Sequence, residues 1–303
     1  MCLLVKERAC RRSFNQLRNF ATVSRFFDPK NDVAFKKLFG EKHNQQILLS
    51  FLNSILRRKG DDMIQEVSLL PQEQFPQFED TRKTILDVLC RDKKGHRYIV
   101  EMQNKRLGSF IQRMEYYASR TYSDQLFKNV NYFELKQVIL LAIANHNIFP
   151  SEVKYVSFYY NREEETNKCF LPNLSYAFVE LPKFTKCREQ LETTEDYWVH
   201  LLKEASEEQE PPERAPNEIQ EAYGILERHR WNPEDNLLYE KTRMALLDDE
   251  YAIRTAKDEG RSEGRKERNE EIAREALKDG LSVERISKIT GLSISIIKEL
   301  NNQ

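Results

Sequence analysis

The chain has 303 residues and a formal net charge of -1, enough length to bury a sizeable core in one large domain or two ordinary ones. Hydrophobic residues make up 40% and charged residues 32%, with only nine glycines and ten prolines, which excludes collagenous, low-complexity and loop-dominated classes. No apolar run reaches membrane-spanning length, and the five cysteines form no CxxC pair, so a membrane span, a disulfide framework and a thiolate zinc site are not expected, and a reducing cytoplasm is.

Charge is distributed unevenly along the chain. Residues 25–60 carry eight Lys/Arg against three Asp/Glu and residues 81–136 twelve against six, whereas residues 188–221 carry three against eleven. A basic front half can attract a phosphate backbone, although an ordinary solvated surface has the same composition.

Residues 1–24 hold five basic residues and one acid. They resemble a transit peptide in composition and equally fit a disordered or spurious extension. The ordered chain is expected to begin near Phe26, with Asp28 as a cap, Pro29 in a first helical turn, and Ala34, Phe35, Leu38 and Phe39 at helical spacing up to Gly40. A second helix through Ile47, Leu48, Phe51, Leu52 and Ile55 ends in Arg57, Arg58, Lys59 and Gly60, basic residues that suit a helix C-terminus.

The period then changes. Residues 63–70 read as a strand, 71–80 as a Pro- and Gln-rich link, and 83–90 and 97–104 as two strands joined by a turn ending in Gly95. Residues 108–129 read as a helix with Ile111, Met114, Tyr117, Ala118 and Leu126 on its inner side. Residues 135–144 are almost wholly apolar, the mark of a strand buried on both faces, and 153–160 and 175–181 are weaker strands. Residues 188–250 are helix-prone with an acidic, Pro-broken loop at 207–216. Residues 251–278 form a charged helix interrupted by Gly260 and Gly264, and 281–300 two short helices around Gly291. That tail fits either a DNA-reading helix-turn-helix or a small packing hairpin. The charged helix can pair two chains, although it lacks heptads.

One cluster carries chemistry. Asp87 lies inside an apolar run, and fourteen residues on Glu101 lies inside another. Carboxylates in apolar strands are costly unless paired or bound to a cation. Neighbouring strands lie about 4.8 Å apart, where two carboxylates repel each other and a divalent metal neutralises both. Strand alternation would put Glu101, Gln103 and Lys105 on one face. The plain alternative makes Asp87 and Glu101 edge-strand surface residues, Gln103 a solvated strand residue and Lys105 a solvated hairpin-end charge. Tyr116, Tyr117 and Tyr122 read as helix packing. The five histidines have no ligand spacing, and no GxGxxG, P-loop or GxSxG is present.

The opening 28–40 (DPKNDVAFKKLFG), the span from Asp87 to Glu101-x-Gln103, the helix segment 113–120 (RMEYYASR) and the repeated EGR at 259–261 and 263–265 together resemble the PD-(D/E)XK nuclease family transposases, relatives of the recombination-promoting nucleases. The resemblance implies an α/β restriction-endonuclease-like core, a mixed central sheet flanked by helices, at 25–187. Behind it would come a helical region at 188–250 and a charged helix with a helix-turn-helix-like tail at 251–303. It also implies a metal-dependent DNA endonuclease associated with transposition or recombination. Asp87, Glu101 and the Met102 carbonyl would hold Mg²⁺ or Mn²⁺ against double-stranded DNA. The third catalytic position, usually Lys, is Gln103 here, with Lys105 as the nearest substitute charge. Asp32, Lys36, Gln112 and Arg113 are further candidates for metal tuning or phosphate contact. Because Gln is neither a cation nor a base, a nuclease fold that binds DNA or a protein partner without cleavage is the alternative.

Overall fold

The computed structural model describes residues 24–71, 73–74, 84–106, 108–126 and 131–301. The expected extension before Ser24, most of the Pro/Gln-rich link and the end of the helix at 127–129 lie outside the described residues. The chain forms two compact units, Met1–Glu240 and Lys241–Gln303.

In the first unit, helix α1 (Asp32–Phe39) is capped by Asn31, whose side chain accepts from the Val33 N–H, and not by Asp28. Asp28 Oδ1 instead accepts from Lys30 N at 3.0 Å, closing a turn one step earlier. An Asn there satisfies an orphan N–H of the first turn. Helix α2 (Gln45–Ile55) buries Ile47, Leu48, Phe51, Leu52 and Ile55 on one side. The residues after it do not form the long strand expected at 63–70. A 3-10 turn at Gly60–Asp62 comes first, and β1 is only Val67–Leu69.

Buried Asn53 explains that geometry. Its Nδ2 donates to Ile64 O and its Oδ1 accepts from Ile64 N, both at 2.8 Å, so one amide replaces a strand partner. Asn53→Ala strands both backbone groups. It is expected to destabilise the protein by about 2 kcal/mol or more, read as a lower urea midpoint at unchanged slope.

The main sheet has the order β1-β4-β5-β6-β8-β7. Strands β4 (Val88–Asp92) and β5 (Arg97–Gln103) form the expected hairpin, and its turn closes through Gly95 at φ 92°. Strand β6 (Val138–Ala144) is buried at every position and lies parallel to β5 and to β8 (Leu171–Glu180). Strand β7 (Val156–Asn161) closes the edge antiparallel to β8. A second, two-stranded sheet pairs β2 (Glu73–Gln74) with β3 (Thr84–Ile85).

One face of the main sheet is covered by α1, α2, α4 (Thr194–Glu204) and α5 (Asn217–Leu226) in a single large core. Its aromatic centre joins distant segments. Trp198 packs on Phe39 and Phe51 with ring centroids 5.8 and 5.4 Å apart, and Phe27 packs on Trp231 and Tyr239 at 4.1 and 4.2 Å. The chain start is also stitched to the end of α5. Phe26 bridges Glu227, and Phe27 N donates to Leu226 O at 2.9 Å.

The other face is covered by α3 (Phe110–Ser123), whose buried side is Phe110, Met114 and Ala118. Ile111 at 37% and Leu126 at 39% are exposed, contrary to the inner side expected for them. The helix starts at Phe110, which enters the core itself and turns Ile111 outward.

Helix α6 (Pro233–Lys278) begins in the first unit and continues through Gly260 and Gly264 without the expected interruption. Ion pairs such as Arg268–Glu271 and Lys266–Glu270 line its charged stretch, and pairs at this spacing support an exposed helix. In the second unit α7 (Val283–Thr290) and α8 (Ile294–Leu300) flank Gly291, which takes the left-handed conformation at φ 73°. They bury Ile286, Leu292 and Ile297 with Ala273. No helix among the described residues is long and apolar enough to cross a membrane.

Candidate active site

The hairpin register places the two acids. The β4–β5 ladder begins at Val88 opposite Val100, so Asp87 sits one step beyond it. Asp87 is therefore not mid-strand: it lies in a bend between β3, which pairs with β2, and β4. Glu101 lies within β5, next to Ala142 of β6, a small neighbour that leaves room for a long acid.

The two residues are joined crosswise. Asp87 N donates to Glu101 Oε1 at 3.0 Å, and Met102 N donates to Asp87 Oδ2 at 2.9 Å. Glu101 is buried and Asp87 half-buried. The carboxylates thus converge at one end of the hairpin and do not splay to opposite sides of the sheet.

Electrostatics follow from that closeness. Burial, and then repulsion from Asp87, hold the Glu101 carboxyl well above its ordinary value, while the Asp87 N–H, Arg113 and Lys36 pull against this. Asp87 is also raised, first by burial. The Met102 N–H, Lys36 and Arg113 lower it, and Asp32 raises it. Two like charges out of water ask for a compensating cation. Carboxylate and carbonyl oxygens are the donors that Mg²⁺ and Mn²⁺ prefer. Among the described residues no group of three or more His, Cys, Asp or Glu gathers as a ligand set. A cation here would rest on the two acids and a backbone oxygen.

The other expected residues separate into three groups. Asp32 and Lys36 of α1 act on the pair from the adjoining helix. That helix is held close by Asn104, whose Nδ2 donates to Lys30 O just before α1. Gln103 is half-buried, and its Nε2 donates to Lys105 O at 2.7 Å while its Oε1 accepts from Arg113 Nη2. Lys105 does not extend the strand face: β5 ends at Gln103, and Lys105 sits in the following bend. Gln112 is exposed on α3.

Tyr117 was the residue the sequence pattern hid. Its hydroxyl is shifted up by burial and then by the Glu101 charge, and its ring lies 5.9 Å from the Arg113 guanidinium carbon. The only available signal was the i, i+4 spacing from Arg113.

A family model described as PD-(D/E)XK nuclease family transposase matches residues 29–256. No curated protein and no solved structure matches the chain. The mixed six-stranded sheet flanked by helices, with helical additions behind it, is the restriction-endonuclease-like fold of that superfamily. The matched span includes α1, the carboxylate hairpin and α3 and covers well over half of the chain, which therefore belongs to the PD-(D/E)XK nuclease family transposases.

Proposed function

We propose that the protein is a metal-dependent endonuclease that hydrolyses phosphodiester bonds in double-stranded DNA during transposition or recombination. The observation that carries this reading is the crosswise pairing of buried Glu101 and half-buried Asp87, the first held by the Asp87 N–H and the second by the Met102 N–H. Asp87, Glu101 and the Met102 carbonyl would hold Mg²⁺ or Mn²⁺. Such an ion supplies a Lewis acid for the phosphoryl oxygen and lowers the pKa of a nucleophilic water. Asp32 and Lys36 set the charge balance around the acids from α1, and Lys105 in the bend after β5 and the exposed Gln112 on α3 would contact the DNA phosphates. The basic character of residues 25–60 and 81–136 suits a polyanionic substrate.

The second reading, DNA or partner binding without turnover, is favoured by Gln103. Its amide is neutral and engaged at both ends, so it cannot serve as a general base. Incubating supercoiled plasmid with the full chain and Mg²⁺ or Mn²⁺ separates the two. The nuclease reading expects nicked and linear product from the wild type and none from Asp87→Asn. Equal cutting by both would assign the activity to a contaminant. Salt-sensitive DNA binding with no cutting would favour the second reading.

A further inference from the structure

We propose that Arg113 is the phosphate-facing cation of this site, and that Gln103 is the positioning residue that holds it there. The inference rests on the nuclease reading above and adds to it which group opposes the charge of the substrate.

A carboxylate pair beside a phosphodiester concentrates negative charge, and a protein that works there has to bring positive charge to the same point. The motif strand brings none: Gln103 is neutral, and Lys105 has left the strand. The positive charge arrives from α3 instead. The Gln103 amide is oriented by its donation to Lys105 O at 2.7 Å, which turns Oε1 toward Arg113. Arg113 Nη2 donates to that oxygen. The guanidinium carbon lies 5.7 Å from the Phe110 ring centroid and 5.9 Å from that of Tyr117, so aromatic faces also restrict where the planar group can lie.

The guanidinium has capacity left. It carries five N–H donors, and its buried Nε has no hydrogen-bond partner among the described residues. A planar fork with unused donors, next to two acids that it already influences, matches the paired oxygens of a phosphodiester. Lys36 reaches the same acids from α1, but an ammonium is a point charge without that fork.

The inference reverses the effect expected of restoring the commoner lysine. Gln103→Lys removes the acceptor that tethers Arg113 and sets a second cation against it. It should therefore damage the site it was meant to repair. Gln103→Glu keeps an oxygen for Arg113 and should damage it less.

The test uses the full chain carrying Gln103→Lys, Gln103→Glu, Arg113→Lys or Arg113→Ala, with wild type and Asp87→Asn. Single-turnover cleavage of supercoiled plasmid in Mn²⁺ is one readout. The salt dependence of binding to a short duplex in Ca²⁺ is the other. Arg113→Ala should slow cleavage about a hundredfold and lower the salt slope by about one. Arg113→Lys should recover part of the rate, and Gln103→Lys should fall at least about tenfold, below Gln103→Glu. The paired conservative variants guard against a fold defect in either harsher one. Gln103→Lys cutting at or above the wild-type rate overturns the proposal, as does Arg113→Ala that cuts and binds like wild type. If no form cuts, the nuclease reading fails by itself. The binding arm still judges Arg113, with a lowered slope in Arg113→Ala in its favour and an unchanged slope or no binding against it.

Discussion

Glu101→Gln is expected to make the metal-free protein more heat-stable, by roughly 2–4 °C in Tm, while reducing plasmid cleavage by about a thousandfold or more. The two effects share one cause. In the absence of a cation the buried Glu101 carboxylate faces Asp87, and burial and that charge both disfavour its ionised form. A glutamine of the same shape still accepts the Asp87 N–H but carries no charge, so the repulsion disappears together with the ligand. The sign with pH follows. Because the folded-state pKa lies above the ordinary 4.5, the favourable contribution of the protonated group is fully present below that value. It is lost as pH rises through the raised value. The Tm advantage of Glu101→Gln over wild type should therefore widen in chelator as pH rises from the ordinary carboxylate value through the raised one. Adding Mn²⁺ should raise the wild type and leave the variant unmoved. A variant less stable than wild type at neutral pH in chelator would contradict the account.

A fragment ending at residue 187 is expected not to fold, while one ending at residue 240 should. The first cut keeps every strand of the main sheet, yet it removes α4, α5 and the start of α6. Phe39 and Phe51 then lose Trp198, and Phe27 loses Trp231 and Tyr239. The first helix pair also loses the backbone bonds that tie Phe26 and Phe27 to residues 226–227. Removing one such aromatic costs about 3–5 kcal/mol, against a total stability of about 5–15 kcal/mol. Losing several together exceeds the margin. Circular dichroism and proteolysis of the two fragments check this, and a cooperative melt from the shorter one would refute it.

Local pattern carried a good part of this architecture. The β4–β5 hairpin, the buried β6 and the helices α1, α2, α7 and α8 follow from apolar periodicity and turn residues, signals that need only neighbours in sequence. The acids of the candidate site were visible because Asp87 and Glu101 interrupt apolar runs. What stayed hidden depends on distant partners. That Asp87 lies in a bend is decided by β3 pairing with β2 rather than continuing into β4. That Asn53 stands in for a strand partner is decided by Ile64. Arg113 reads in sequence as a candidate phosphate contact, but its pairing with Gln103 appears only once α3 packs across β6 and β8 and sets the two side by side. Helix α6 runs unbroken through Gly260 and Gly264, and the space around both is open, so no close approach requires a glycine at either place.

The crosswise bonds at Asp87 and Glu101 tie the candidate site to the end of the hairpin. The Glu101 carboxylate is fastened to the N–H of Asp87 in the bend and the Asp87 carboxylate to the N–H of Met102 on β5, so main-chain groups at the end of the hairpin hold both side chains. A nucleophile and its counter-charge would thus meet in a slot whose width is set during folding, before any polyanion arrives.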